Sequence, residues 1–499
     1  MLDKYTILGS DLEYIAKTLS DKIGPCVDAE SIKYTLLGIF LNLKKSRTPN
    51  MFDIECLELL TDLYQLTMAY GYWKSGKSEQ ESSFSLFFRR NPFCGNYAIC
   101  SGLEFAKEYI SDFSFCNDSL DYLKSIGLFS NEFLLYLADL KLSLDIDAIP
   151  EGTFVFPNEP LMRVKGPLLQ CQLVETPLLN VINFNTLIAT KASRICCAAN
   201  YLPVLELGLR RAQGIDGGLS ASRAAYIGGC AATSNVLAGK KFGIPVKGTH
   251  SHSWVMSFDS ELEAFVAYAK AMPENCMFTV DTYGDVIQGT KSAIAASEIV
   301  LRPNGYDLKG IRLDSKDLAK DSIISKDMLM ERNFTETSVI ATNDLDEYKI
   351  TDIRSKDNKI DAYGVGTSLV TAKDDPALGG VYKLGAIRNK NQILENKIKH
   401  TDGKTTLPGI LQVTRGEDED VIHFEHSFMS GKPLLQKVVR NGKVLKPSED
   451  ILIIRERVKK EVKDFSHIMG VGNENKYRVE IDSRVLHEQR RLINNIEKE

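Results

Sequence analysis

From about residue 201 to residue 367 the chain repeats one pattern: a short apolar run ends in a polar residue or glycine, and a helix-like stretch follows. Val204-Leu205-Glu206-Leu207 leads to Arg210-Arg211, and Val246-Lys247-Gly248 leads to His252. Cys276-Met277-Phe278-Thr279-Val280-Asp281-Thr282 precedes Tyr283-Gly284-Asp285, and Ile311-Arg312-Leu313 ends at Asp314-Ser315. Val339-Ile340-Ala341 runs into Thr342-Asn343-Asp344, and Ile360-Asp361-Ala362-Tyr363 into Gly364-Val365-Gly366-Thr367. Six strand-like runs alternating with helices point to parallel βα units, most simply closed into a barrel. An open doubly wound sheet does not naturally collect six loops into one pocket. A barrel does so at the C-terminal ends of its strands, where the distinctive residues of this chain fall.

The rest of the chain reads differently. Residues 1–50 form a mixed segment ending in Arg47-Thr48-Pro49-Asn50. Residues 60–70 predict a helix capped by Thr61 or Asp62, with Leu63, Leu66, Met68 and Tyr70 as its apolar positions. A strand is expected at 83–88, running into Arg89-Arg90-Asn91-Pro92-Phe93, and mostly helix over 102–148. Further strands are expected at 404–409 and 433–437, a charged amphipathic helix at 451–463, and a terminal helix or frayed end at 484–499.

Composition narrows the function classes. A net charge of −5 argues against nucleic acid as the main partner, so any anion site must be a local basic cluster. Ten cysteines without a CxxC pair read as reduced thiols of a cytosolic protein rather than a disulfide framework or zinc site. No apolar run is long enough to span a membrane; residues 34–43 come closest and read as a buried helix. A cytoplasmic location is the expectation.

The segment Gly248-Thr249-His250-Ser251-His252-Ser253-Trp254 lies about one βα unit beyond Gly208-Leu209-Arg210-Arg211-Ala212-Gln213-Gly214. Arginine forks grip phosphate oxygens, and a histidine can carry a proton or a phosphoryl group. Small residues surround Arg210 and Arg211, which suits a turn closing on an anion. His250 and His252 share a face on an extended chain, so spacing alone does not choose between them. Gly364-Val365-Gly366-Thr367-Ser368 could cradle a phosphate, but it lacks both the third glycine of a dinucleotide fingerprint and the Lys-Ser/Thr end of a Walker loop. Arg312 and Asp314 point to one side. Asp281, Asp314 and Asp344, on three successive strand ends, could face a sugar or hold Mg²⁺ through water.

Taken in order, these motifs resemble those of the nicotinate phosphoribosyltransferase family. The resemblance runs from Met51 to about Lys460. It is carried by Leu60-Thr61-Asp62-Leu63-Tyr64-Gln65, Phe88-Arg89-Arg90-Asn91-Pro92-Phe93, residues 208–217, Gly248-Thr249 with His252-Ser253, Ile311-Arg312-Leu313-Asp314-Ser315, residues 364–367, and Gly380-Val381-Tyr382-Lys383-Leu384. It implies an α/β fold: an irregular α/β barrel over 196–385, and an N-terminal α+β domain over 51–195 completed by C-terminal segments over 386–499. Residues 1–50 stand as an extension without a counterpart in the family, or Met51 is the start. The implied reaction joins nicotinate to phosphoribosyl pyrophosphate, with ATP hydrolysed through a phosphohistidine, as the first step from nicotinate towards NAD. His252 occupies the phosphorylated position, and His250 becomes secondary. Tyr64, Thr249 and Arg312 are implied for nicotinate, and Arg210, Gly366 and Thr367 for the sugar phosphates. Asp281 and Asp314 are implied for ribose hydroxyls or Mg²⁺. A homodimer is implied, with Tyr64 completing the partner's pocket. Cys94-Gly95-Asn96 departs from the glycine-rich family pattern after Pro92-Phe93.

Two relatives compete within this chemistry, one using nicotinamide and one using quinolinate. An acid needs a cation such as Arg312, and a dicarboxylate needs a denser basic pocket. A catalytically silent ligand-binding relative is the alternative from another class, and a barrel glycosidase explains neither the arginine pair nor His252.

Overall fold

The βα repeat builds a six-stranded parallel sheet in the order Ala232–Thr233, Val204–Glu206, Ala362–Val365, Ser338–Ala341, Gly310–Leu313, Met277–Thr279. Ile340 lies opposite Ala362 on one side and Arg312 on the other, and Tyr363 lies opposite Val204. Burial on both faces explains why these strands read as unbroken apolar runs: Phe278, Ile311, Leu313, Val339, Ala341, Tyr363 and Val365 are all buried. The computed structural model describes residues 56–401 and 404–498, and the expected extension at 1–50 lies outside the described residues. Aspartate and asparagine turn the chain back between strands. Asn235, Asp285, Asp317 and Asp346 each stand at a helix N-cap and accept from the backbone N–H three residues on. Such a cap contributes about 1 kcal/mol and sets where each helix begins.

One expected strand is displaced. Residues 246–248 do not form a strand, and the two-residue strand Ala232–Thr233 takes the edge of the sheet instead. Val246 makes only an isolated parallel bridge to Thr233, because Pro245 has no N–H to extend a ladder. Thr233 N donates to Pro245 O, and Lys247 N donates to Thr233 O. A few residues on, the same segment reaches the opposite edge of the sheet. Thr249 Oγ1 donates to Met277 O at 2.9 Å, and Thr279 N donates to His250 Nε2 at 3.3 Å. The barrel is therefore irregular: its seam is joined by side chains where a backbone ladder would otherwise run.

A second sheet is antiparallel and draws strands from both sides of the barrel sequence. Its order is Leu394–Asn396, Val381–Arg388, Glu81–Phe87, Met162–Pro167, Asp145–Ala148, Gln436–Arg440, Lys443–Val444. The expected barrel segment 196–385 overruns the parallel sheet, since Val381–Arg388 pairs antiparallel with Glu81–Phe87. Residues 404–409 form no strand; Pro408 withholds a donor and Gly409 adopts φ +88°. Over 102–148 the helices are Leu103–Asp112, Asn117–Ile126 and Asn131–Asp139, followed by the strand Asp145–Ala148. The later helices run Ile451–Asp464 and Ser483–Ile496. Asp62 stands at the N-cap of Leu63–Lys74, but its carboxylate accepts from the Thr176 hydroxyl and not from the helix backbone.

The helix Glu175–Ala198 joins the two halves. It packs on the barrel helices Gly214–Gly228 and Glu347–Arg354 and on the antiparallel strand Val381–Arg388. Its apolar face is Ile182, Leu187, Ile188, Ala189, Ala192 and Ile195. Lys191 and Arg194 on the same helix both pair with the fully buried Glu347, at 2.7 and 3.0 Å. Breaking such a buried pair by removing one member typically costs about 3–5 kcal/mol, because the other charge is left without compensation.

Gly228 permits the closest of these helix contacts. A Cβ there would lie 2.2 Å from the Ala189 carbonyl oxygen and 2.7 Å from Ala192 Cβ. Gly228→Ala is expected to destabilise the chain by about 1–3 kcal/mol through overpacking, read as a lower thermal midpoint. An unchanged midpoint would mean that the two helices are free to separate.

Candidate functional site

A cavity of about 970 Å³ occupies the barrel and opens among its strand-end loops. Arg210, Arg211, Gly248, Thr249, Arg312, Asp314, Gly366 and Thr367 all line it. Residues from four separate βα units therefore meet at one surface.

The arginine loop is shaped by a residue that faces away from the cavity. Glu206 is buried in the strand Val204–Glu206 and accepts from Gly208 N, from Ser222 Oγ at 2.9 Å and from Thr233 Oγ1. These bonds turn the chain at Gly208. A Cβ at Gly208 would meet Val370 Cγ1 at 2.4 Å, so only glycine allows this approach to the 366–370 turn. Arg210 and Arg211 follow in a single turn, Leu209–Arg211, and both are exposed. Across the gap, Thr367 opens a helical turn, where the first N–H groups have no intrahelical acceptor.

The two histidines separate clearly. His250 is buried, accepting from Thr279 N at Nε2 and facing Ser251 O from Nδ1 at 3.2 Å, among Phe265, Tyr268 and Phe278. Nδ1 is therefore the protonated nitrogen of a neutral ring. Burial pushes its pKa down to about 4, with the nearby Arg312 and His252 acting in the same direction. His252 begins the helix His252–Met256 and is 39% exposed. Its Nδ1 lies 3.2 Å from Thr282 Oγ1, and its Nε2 lies 3.7 Å from Asp314 Oδ2.

Charges in the cavity are left short of partners. Burial lowers the pKa of the Arg312 guanidinium and Arg210 adds to the effect, although Asp314 and Asp281 oppose it. Arg312 Nε is buried with no hydrogen-bond partner. Asp281 spends one carboxylate oxygen on Asp314 N, and its other oxygen, Oδ1, is buried without a partner. Burial raises the Asp281 pKa, and repulsion from Asp314 adds to it. Arg312 is thus suited to an incoming anion. Asp281 and Asp314 are suited to a cation or to hydroxyl donors. Two carboxylates are enough for a magnesium ion that shares phosphate oxygens and keeps some of its water, though not for an all-protein cage.

Most of the expected residues gather here. Arg210, Thr249, Arg312, Asp314, Gly366 and Thr367 line the cavity; His252 touches it through Asp314, and Asp281 through the Asp314 backbone. Thr249 differs in detail, because its hydroxyl proton is engaged by Met277 O. Tyr64 is not among the lining residues. It stands 48% exposed on the helix Leu63–Lys74. Lys247, Thr342, Asn343 and Asp344 also line the cavity. Glu206 could have been found from sequence as the one charge inside an apolar run. Thr282 carried no comparable signal.

Residues 59–183 match the model of the nicotinate phosphoribosyltransferase N-terminal domain. A nicotinate phosphoribosyltransferase of Bacillus subtilis is 44% identical over 381 residues, covering 76% of this chain and 77% of that protein. One of Caenorhabditis elegans is 39% identical over 70% of this chain and 72% of its own length. The crystal structure of human nicotinic acid phosphoribosyltransferase superposes with a TM-score of 0.76 at 28% identity, covering 87% of this chain and 100% of that one.

His250 generates a pH prediction. Its folded pKa of about 4 lies below the unfolded value of about 6.5, so between these values the unfolded chain binds the extra proton. Stability is therefore lost as pH falls through this window, by up to about 3 kcal/mol at its acid end. His250→Gln keeps an acceptor for Thr279 N but removes the titration. Denaturant unfolding from pH 7 to pH 4 should show a shallower acid decline in the variant, and an identical decline would place the lost proton elsewhere.

Proposed function

The chain belongs to the nicotinate phosphoribosyltransferase family and is a phosphoribosyl-transferring enzyme, and from this premise we propose that it makes nicotinate mononucleotide from nicotinate and phosphoribosyl pyrophosphate. ATP hydrolysis drives the reaction through phosphorylated His252. One observation carries the choice of an acid over an amide: Arg312, with a buried and unpartnered Nε, faces the cavity beside Arg210. A monocarboxylate supplies both the missing charge and the missing acceptor. Arg312 grips the nicotinate carboxylate. Thr249 joins as a second donor only by turning its hydroxyl away from Met277. Arg210 and the Gly366-Thr367 turn face the sugar phosphates.

Transfer requires the pyridine nitrogen to attack the ribosyl C1 as the bond to pyrophosphate breaks, leaving C1 oxocarbenium-like. Holding the ring in line supplies much of the acceleration. The leaving group departs against Arg210 and neighbouring donors. Asp281 and Asp314 lie where they can accept from ribose hydroxyls or hold Mg²⁺, which when bound neutralises pyrophosphate charge.

In this reading His252 carries the coupled step. With Nδ1–H donating to Thr282 Oγ1, the Nε2 lone pair is free beside Asp314. Nε2 forms a bond to the γ-phosphorus of ATP while the bond to the bridging oxygen breaks and ADP leaves. Water later cleaves the P–N bond, releasing phosphate and restoring the imidazole. Phosphorylation adds charge at a loop end 3.7 Å from a carboxylate, so it favours a rearranged loop. That rearrangement tightens substrate binding, and hydrolysis relaxes it to release product.

Leu57, Leu60, Leu63, Tyr64 and Met68 form an exposed apolar stripe around the start of the helix Leu63–Lys74. A homodimer covers this stripe and brings Tyr64 to stack on nicotinate in the partner's cavity. We place the enzyme in the cytoplasm, at the first step from nicotinate towards NAD.

Product formation from nicotinate with and without ATP tests the reading. ATP should stimulate the native enzyme. His252→Ala should abolish the stimulation and keep slow ATP-independent transfer; unchanged stimulation would remove the phosphohistidine. Arg312→Gln should raise the KM for nicotinate by roughly 10- to 150-fold, from the about 1.5–3 kcal/mol of a charged hydrogen bond. If nicotinamide or quinolinate is preferred by the native enzyme, the carboxylate assignment is wrong.

A further inference from the structure

Away from the cavity, three ligand-type side chains converge at the end of the described chain that leads into the helix Leu63–Lys74. Cys56 and Glu58 lie on either side of Leu57, and Cys116 caps the helix Asn117–Ile126. Cys56 Sγ and Cys116 Sγ are 3.4 Å apart. Their sulfur atoms and a Glu58 carboxylate oxygen all lie within 4.8 Å of one another, the only such triple of His, Cys, Asp or Glu side chains among the described residues. The absence of a CxxC pair in the sequence argued against a zinc site, but residues 60 positions apart can build one in space.

The surroundings orient the three groups. Glu58 is buried; its Oε1 accepts from Ser119 Oγ at 2.6 Å and from Cys116 N at 3.1 Å, which leaves Oε2 available. Burial works against the charged carboxylate, but these bonds outweigh it and hold its pKa below the usual range. The Cys116 thiol accepts from Ser119 N at 3.5 Å at the head of the helix, which fixes the direction of its Sγ. For Cys56 the Ser119 hydroxyl favours the thiolate, but burial, Cys116 and Glu58 together hold the thiol above its ordinary range. Two thiols and a carboxylate held this close together form a donor set that a divalent cation can share.

We propose that Cys56, Glu58 and Cys116 bind a thiophilic divalent cation, zinc(II) being the natural occupant, that fastens residues 56–59 to the helix Asn117–Ile126. Distances separate this from a disulfide. With Zn–S bonds of about 2.3 Å, two sulfurs on a tetrahedral ion stand about 3.8 Å apart, about 0.4 Å wider than here. A disulfide requires about 2.05 Å, a closure of about 1.4 Å. Two sulfurs and one carboxylate oxygen fill three positions, and water fills the fourth. Binding releases the thiol protons to solvent, so affinity falls as pH is lowered. Helix Leu63–Lys74 begins four residues after the turn Leu57–Leu59, so the ion fixes the entry of the helix that presents Tyr64.

The full-length, tag-free protein, equilibrated with micromolar zinc and dialysed without chelator, should retain about one zinc per chain by elemental analysis. Cys56→Ser and Cys116→Ser should each lower retention at least tenfold, Glu58→Gln should weaken it, and Cys94→Ser should leave it unchanged. Cobalt(II) in place of zinc should give a thiolate-to-metal absorption band that Cys116→Ser diminishes, with circular dichroism confirming that each variant is folded. Zinc below a tenth of an equivalent, metal retained by both cysteine variants, or a Cys56–Cys116 disulfide as the resting form would each overturn the proposal.

Discussion

A curved parallel sheet has two edges whose backbone groups must find partners, and here residues 245–250 serve both. Thr233 is engaged from Pro245 and Lys247, and Met277 and Thr279 are engaged from Thr249 and His250. Each bond contributes only about 1 kcal/mol net, but an unpaired buried group costs about 1–3 kcal/mol, so the seam is hard to open. Its position sets the layout of the cavity mouth. Thr249 is drawn onto the barrel wall, His250 is buried with a neutral ring, and His252, two residues on, emerges beside Asp314. A protonated His250 could no longer accept from Thr279, so the same imidazole that closes the barrel must remain uncharged.

The cavity inverts the charge of the whole molecule. A chain with a net charge of −5 places Arg210, Arg211, Lys247 and Arg312 around one opening. Elsewhere the buried cations are matched: Arg163 pairs with Asp147, Arg223 with Glu151, and Arg415 with Asp420 and Glu461. The contrast makes Arg312 informative. Cations that serve packing have their carboxylates in place, whereas Arg312 keeps a buried Nε donor without an acceptor.

Much of this was legible from the residues, and the rest was hidden for physical reasons. Short apolar runs that end in a polar residue or glycine and lead into helix-like stretches announced the barrel, because a parallel βα unit repeats on a scale local in sequence. The strand at 246–248 was misplaced because a β-branched residue next to proline satisfies a propensity reading but lacks the donor for a ladder. Residues 404–409 failed for a similar reason at Pro408 and Gly409. The antiparallel sheet was out of reach, because pairing between Glu81–Phe87 and Val381–Arg388 has no local signature. At the site, the motifs located Arg210, Arg312 and Asp314. They could not reveal that the Thr249 hydroxyl is already engaged, that Glu206 shapes the arginine loop, or that Cys56 and Cys116 meet.

The two halves of the chain are also joined through charges close to the site. Lys191, on the helix Glu175–Ala198, pairs with Asp374 at 2.6 Å as well as with Glu347. Asp375, the next residue, accepts from Phe93 N at 3.1 Å and pairs with Arg90 at 3.2 Å. Residues 374–375 lie fewer than ten positions beyond the Gly366-Thr367 turn, so the Arg89-Arg90-Asn91-Pro92-Phe93 loop of the first half is tied to the chain that leaves the cavity wall. The exposed Arg90 pair is worth little alone. The buried Lys191–Glu347 pair is different, because freeing either partner strands a charge in the interior. A displacement of the 366–375 chain must therefore either carry the Arg90 loop with it or break into the buried network, and the first is the less costly. The loop at residues 89–93 is thus mechanically part of the barrel mouth, although it belongs to the N-terminal part of the chain.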